Sequence, residues 1–320
     1  MGYKRAGFRV LGCVEIDPAI NAIYRRNLHP AHNFLMDLRE FNKIPDADLP
    51  PELFALDVLD GSPPCSTFSL AGKREKAWGV EKRFKEGQAK QTLDDLFFVF
   101  LDTVGKLRPR VVVAENVTGL VKGNAKGYVN AIVARFRELG YAVQLFILNA
   151  AFMEVPQRRE RVFFVARKID ALPPPNPPPL KLEFDYPPVT FGEVKTPQGE
   201  PVPLSEDPNA LCRLLAKARD GDSKLSDVCE RERGRNVRFN WCLVRDGDVS
   251  PTLTASIPLI RMPERTTFSA GDFRACATFP EDYDFGDRAV KTAQYLCGMS
   301  VPPSMAAHVA DEIRTQWLTP

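Results

Sequence analysis

The chain has 320 residues, 44% of them hydrophobic, and 43 basic against 41 acidic side chains leave a net charge of +2. That is enough apolar material for one large domain or two ordinary ones, and no run approaches the eighteen or so apolar residues of a membrane span. Near-balanced charge neither demands nor excludes a nucleic-acid partner, while seven cysteines without a C-x-x-C pair, in a chain opening MGYKRAGF, speak against a disulfide framework, a structural zinc site and an export signal, and so for a cytoplasmic protein with reduced thiols.

Taken in chain order, short apolar runs alternate with amphipathic stretches. Strands are expected at 9–15, 53–59, 110–114, 142–148 and 161–166, and helices at 18–27, 91–107 and 127–139, the last closed by Gly140. This βαβ rhythm predicts a parallel sheet flanked by helices. From 173 to 188 the chain reads PPPNPPPLKLEFDYPP, which suits an extended connector and marks a domain boundary. The expected division is therefore a first domain over 1–172, a proline-rich linker with a second, loop-rich domain over 173–285, and a C-terminal segment over 286–320 that returns to the first domain. The second domain carries a basic cluster, RERGRNVR, at 231–238.

Ligands of open parallel α/β sheets bind outside the carboxyl ends of the strands. Those ends are polar here. The first expected strand runs into Glu15-Ile16-Asp17, the second into Asp60-Gly-Ser-Pro-Pro-Cys65, and the third into Glu115-Asn116. Glu15 reads either as an acceptor for ribose hydroxyls or as an ordinary strand-end carboxylate. Asp37 reads as an acceptor for an adenine amino group or as a solvated side chain. Most cysteines are small buried hydrophobes, and Cys13, Cys212, Cys229, Cys242, Cys276 and Cys297 are assigned to that class. Cys65 differs: Pro63 and Pro64 stiffen its loop, Ser66, Thr67 and Ser69 surround it with hydroxyls, and the QRRER stretch at 157–161 offers the positive charge a thiolate requires. With only three histidines, His29, His32 and His308, none in a motif with a cysteine or serine, acid–base work falls to a carboxylate.

These residues resemble, in order and spacing, the motifs of the DNA (cytosine-5)-methyltransferase family. GSPPCS at 61–66 resembles its Pro-Cys loop, AENV at 114–117 its Glu-Asn-Val motif, and VPQRRERVFFVA at 155–166 its Gln-x-Arg-x-Arg motif. SPTLTA at 250–255, RTTFSAGDFRACATFPEDY at 265–283 and CGMSVPP at 297–303 resemble later blocks. The resemblance implies a Rossmann-like, S-adenosylmethionine-dependent methyltransferase sheet with a loop-rich target-recognition domain, acting on a cytosine flipped from double-stranded DNA. It implies Cys65 as the nucleophile, Glu115 as the group on the cytosine ring nitrogen and amine, and Arg159 and Arg161 as stabilisers of the activated base. Glu15, Ile16, Asp37, Leu38, Pro63 and Ser300 fall to the cofactor, and Ser66, Asn116, Gln157, Thr252 and Thr254 to the substrate side. The basic residues after Cys65 (Lys73, Arg74, Lys76, Lys82, Arg83, Lys85) would meet phosphates. No metal is implied, and the family expectation is a monomer on DNA in a bacterial, archaeal or phage setting. A tRNA cytosine-5 methyltransferase, or a non-catalytic nucleic-acid-binding relative, are the competing readings.

The family's first motif, a Phe-x-Gly-x-Gly turn after a first strand, has no counterpart in the chain, and Met299 stands where the family's block carries Asn. MGYKRAGF resembles the helix that follows that turn. The missing strand is normally central, so its neighbours, ending at Glu15 and Cys65, are expected to be left with unpaired backbone groups. The piece is expected upstream of an internal methionine. A second polypeptide that supplies it, or loss of methyl transfer, are the alternatives.

Overall fold

The computed structural model describes residues 1–63, 95–122, 126–169, 178–197, 211–234, 241–286 and 289–319. In chain order the strands are β1 (Gly12–Glu15), β2 (His32–Leu35), β3 (Val58–Gly61), β4 (Val111–Val117), β5 (Tyr141–Asn149), β6 (Gln157–Arg158), β7 (Glu160–Lys168), β8 (Cys242–Arg245), β9 (Ser250–Pro251), β10 (Leu259–Met262) and β11 (Thr266–Thr267). The α-helices are α1 (Gly2–Arg5), α2 (Pro18–Leu28), α3 (Leu38–Lys43), α4 (Leu96–Leu107), α5 (Lys126–Glu138), α6 (Phe191–Val194), α7 (Leu211–Leu215), α8 (Leu225–Arg233), α9 (Ala270–Cys276), α10 (Val290–Met299) and α11 (Pro303–Ile313).

Contacts divide the chain into two compact units that interleave in sequence. The sheet unit comprises Gly7–Leu148, Glu160–Glu183 and Val309–Pro320; the second unit comprises Met1–Ala6, Asn149–Arg159 and Phe184–His308. The contiguous boundaries expected from the sequence do not coincide with this division. The reason is the QRRER segment: β6 leaves the run of chain that builds the sheet and pairs in parallel with β9, Gln157 opposite Ser250.

In the sheet unit, β3, β4, β7 and β5 form one ladder in that order. β3 runs parallel to β4, but β7 is antiparallel to it, from Val111 opposite Arg167 to Val117 opposite Arg161. The expectation of an all-parallel sheet is corrected at this strand, because a period-two apolar pattern carries no information on direction. Val111, Val112, Val113 and Ala114 are all buried, as strands covered on both faces require. On one side α4 lays Phe97, Phe100, Leu101 and Val104 against Val112, Ala114 and Phe164. That helix ends at Arg108, in the left-handed region with φ 49°, just before Pro109. Pro18 opens α2 at its first turn, and the Asp17 carboxylate accepts from the backbone N–H of Ala19 and Ile20.

β1 and β2 form a separate parallel pair. Among the described residues no strand joins β1 to β3, so each has a ladder partner on one side only. Val14, Phe34 and Leu59 nevertheless pack on one apolar cluster with Phe41, Leu49, Leu53 and Leu107. Among the described residues the break in the ladder falls between β1 and β3. The unit is finished by the chain's last turn, where Trp317, 6% exposed, lies 5.9 Å beneath the Arg167 guanidinium and donates from Nε1 to the Pro178 carbonyl at 3.2 Å.

The second unit holds a three-stranded sheet in the order β11, β10, β8. Ile260 and Leu243 from it pack with Leu225, Val228 and Cys229 of α8, with Trp241 beside them. Asp272, fully buried at the start of α9, is paired with Arg261 and also accepts from the backbone N–H of Thr196 and Ser269. No helix among the described residues is long and apolar enough to cross a membrane.

Candidate active site

In the sheet unit the polar strand ends come out as the pattern predicts. Glu115, near the end of β4, and Arg161, near the start of β7, are diagonal neighbours across an antiparallel ladder, where side chains two positions apart share a face. They form an ion pair, Nε to Oε1 2.8 Å, with side chains only 12% and 14% exposed. Burial lowers the pKa of Arg161 and the Glu115 charge opposes that shift. A guanidinium this basic stays protonated, so the pair brings a fixed positive charge to a carboxylate at the sheet's edge.

Asn116, next in the strand and buried, uses its amide to hold the loop after β3. Its Nδ2 donates to the Pro63 carbonyl at 2.9 Å, and its Oδ1 accepts from the Val117 N–H. Gly61, at the end of β3, lies against Phe100, whose ring would be 2.5 Å from an added Cβ. The root of the Pro-Pro-Cys loop is therefore fixed from two sides. Cys65, Ser66 and the basic residues from Lys73 to Lys85 lie outside the described residues.

Glu15 ends β1, with Oε1 accepting from the Asp17 N–H at 2.8 Å, and burial raises its pKa despite that bond. The backbone N–H groups of Asp17 and Ile16 both act against that rise, so the carboxylate stands at the strand end among amide donors. Ile16 is half-buried beside it. Asp37 is committed in part: it caps α3, with Oδ1 accepting from the Arg39 N–H at 2.7 Å. Leu38 packs into the apolar clusters on either side of it. Asp60, named among the polar strand ends in the sequence but given no role there, stands near the end of β3, toward the Pro-Pro-Cys loop. Its side chain reaches solvent, which tempers the shift, but the protein crowded around it and the like charge of Glu115 push its pKa up to about 6. The nearby Cys13 thiol is pushed up to about 12 by burial first and then by Glu15 and Asp60, so it stays protonated.

In the second unit, Gln157 and Arg159 face inward. Gln157 is fully buried; its Nε2 donates to the Cys276 carbonyl at 2.9 Å and its Oε1 accepts from the Leu253 N–H at 3.2 Å. Both ends of its amide are used inside the protein, and the expectation of a substrate contact is corrected to one of support. Arg159, 2% exposed, donates to the carbonyls of Leu253 and Gly298, each at 3.1 Å. The Thr252 hydroxyl donates to the Arg158 carbonyl, and the Thr254 hydroxyl oxygen accepts from the Ile257 N–H at 3.0 Å. Ser300 closes α10, its hydroxyl donating to the Leu296 carbonyl at 2.6 Å. Cys229, Cys276 and Cys297 are buried, as the filler assignment requires, and Cys13 and Cys242 are half-buried. The described residues hold no cluster fit for a metal ion.

Comparison with known proteins gives this arrangement a family. The chain is 27% identical over 329 residues to the Type II methyltransferase M1.HphI of Haemophilus parahaemolyticus, a match that spans 98% of this chain and 82% of that protein. It is 33% identical over 165 residues to the orphan methyltransferase M.Rho11sI of Bacillus phage rho11s, covering 52% of this chain and 29% of that protein. In structure it resembles a mutant of DNMT2 from Spodoptera frugiperda, with a TM-score of 0.62 at 14% identity over 98% of this chain and 95% of that one, a likeness of fold. The sequence model of the C-5 cytosine-specific DNA methylases matches residues 1–198. With its Glu-Asn and Gln-x-Arg-x-Arg motifs set as described, the chain belongs to the C-5 cytosine-specific DNA methylase family.

Proposed function

We propose that this chain transfers a methyl group from S-adenosylmethionine to carbon 5 of a cytosine turned out of double-stranded DNA, with Cys65 as the attacking nucleophile. The observation that carries the reading is the Glu115–Arg161 pair at the sheet edge. Attack of a thiolate on carbon 6 drives electron density into the ring, and a carboxyl at ring nitrogen 3 limits the charge that builds there. Glu115 suits that task, and Arg161, held against it, suits stabilisation of the activated base. Asn116, through Pro63, anchors the strand of chain that leads to the nucleophile.

S-adenosylmethionine, when bound, supplies a methyl group on a sulfonium, a good leaving group. The strand-end carboxylate of Glu15 suits its ribose, the half-buried Ile16 suits the adenine face, and Asp37, at the head of α3, suits the adenine amine. Pro63 completes the set in the sheet unit, and the family resemblance gives Ser300, in the second unit, to the cofactor as well. Thr252 and Thr254 would meet DNA. We infer a cytoplasmic enzyme of a bacterial, archaeal or phage-infected cell, acting as a monomer.

The test is mechanism-based trapping. Duplex DNA in which 5-fluorocytosine replaces cytosine throughout, so that any target sequence is present, is incubated with the protein and S-adenosylmethionine. Fluorine cannot leave carbon 5 as a proton does, so the covalent adduct should persist on denaturing gels and be lost in Cys65→Ser. An equal adduct yield from the serine variant sinks the assignment. Trapping on 5-fluorocytosine tRNA in place of DNA would transfer the activity to the competing substrate.

A further inference from the structure

We propose that Arg159 is a positioning residue: a clamp that ties residues 252–257 to the carboxyl end of α10, so that cofactor contact at Ser300 is transmitted to the threonines proposed to meet DNA. The inference rests on the roles given above to Ser300, Thr252 and Thr254.

The geometry is that of a brace. One guanidinium, almost wholly buried, donates to two backbone carbonyls that lie 94 and 139 residues further along the chain, those of Leu253 and Gly298. Because the guanidinium is planar and its donors are fixed relative to one another, the bonds set the separation and orientation of the two carbonyls together. A lysine ammonium can neutralise the same site but cannot hold both at a fixed angle.

Independent contacts join the same two segments. A Cβ on Gly298 would lie 2.4 Å from the Ala255 nitrogen and 2.4 Å from the Thr254 carbonyl carbon, so the segments meet backbone to backbone where only glycine fits. Gln294, one turn earlier in α10, donates from Nε2 to the Ile257 carbonyl at 2.8 Å. Gln157 fixes the other side of Leu253 by accepting from its N–H. Two residues beyond Gly298, Ser300 continues the helix end, its N–H and its hydroxyl both donating to the Leu296 carbonyl. A ligand that restrains Ser300 therefore restrains Gly298, and through Arg159 it restrains Leu253, flanked by Thr252 and Thr254. Coupling between sites travels through contiguous contacts of this kind and is reciprocal.

The experiment is amide hydrogen exchange on the full chain, read by mass spectrometry on peptides spanning 250–257 and 296–300, with and without saturating S-adenosylhomocysteine. In wild-type protein the ligand should slow exchange in both peptides. In Arg159→Lys, whose melting is followed in parallel, slowing at 296–300 should remain while slowing at 250–257 is lost. Gly298→Ala, which forces the backbones apart without touching the guanidinium, should show the same loss and serves if the lysine variant does not fold. Full transmission to 250–257 in the folded variant overturns the clamp, as does a wild-type response confined to 296–300. A wild-type chain in which neither peptide responds overturns the cofactor reading, and the clamp with it.

Discussion

A carboxylate whose pKa is raised is one the folded protein prefers to keep protonated, and Asp60 is such a group: its ordinary value of 3.8 becomes about 6 through crowding by protein and the charge of Glu115. At about pH 3 and below the folded and unfolded chains both hold the proton for most of the time. Between about pH 4 and 6 the folded chain holds a proton that the unfolded chain has released, so stability falls as pH rises through that window and the cost is fully present above it. Asp60→Asn should therefore match wild type in urea midpoint at pH 3 and exceed it at pH 7.5, by an amount reduced by the side chain's exposure. An offset that is the same at both pH values rejects this. Glu115 and Arg161 could be read from the sequence because their motifs sit on predicted strand ends. Asp60 could not, since its shift depends on what surrounds it, and Arg159 was legible as a motif but not as a brace, because its partners are carbonyls far along the chain.

At the scale of elements, the edges of β1 and β3 that no other strand covers among the described residues are the feature with the clearest consequence. Each bond made there by a parallel strand is worth about 0.5–1.5 kcal/mol net, and more where the groups are otherwise buried and unpaired. A peptide comprising a five-residue apolar strand and a Phe-x-Gly-x-Gly turn, added to the protein, should raise Tm by several degrees and tighten S-adenosylhomocysteine binding. The same peptide N-methylated on alternate amides should do neither. Equal effects from both peptides would mean that no ladder is formed. Much of the rest was foreseeable: α2 from Asp17-Pro18, α4 from its apolar spacing and Pro109, β4 from its valines. The strand expected over 53–59 begins only at Val58, because Pro50 and Pro51 start a 3-10 turn over Pro51–Ala55. β2 and α3 escaped notice because each is a single short run whose apolar residues, Phe34 and Phe41, meet only in the folded unit, with ring centroids 5.0 Å apart.

For the whole molecule, the interleaved units mean that no single cut separates one from the other. A fragment spanning 184–308 would lack β6, leaving β9 without its parallel neighbour and the carbonyls of Leu253, Cys276 and Gly298 without the side chains that donate to them. Buried groups so orphaned cost about 1–3 kcal/mol each, against a total stability of only about 5–15 kcal/mol for a typical domain. The fragment alone should show no cooperative thermal transition by circular dichroism. Joining residues 149–159 to its amino end through a flexible linker should restore one. Cooperative melting of the bare fragment at the full chain's temperature would show that the insertion is dispensable. The seat of Trp317 has an optical consequence. The chain has three tryptophans, and with Trp78 and Trp241 changed to phenylalanine the remaining indole, shielded under Arg167 and bonded to Pro178, makes the end of the chain its own fluorescent reporter. Its emission should be blue-shifted while residues 309–319 are seated and should move to the red as they detach on unfolding.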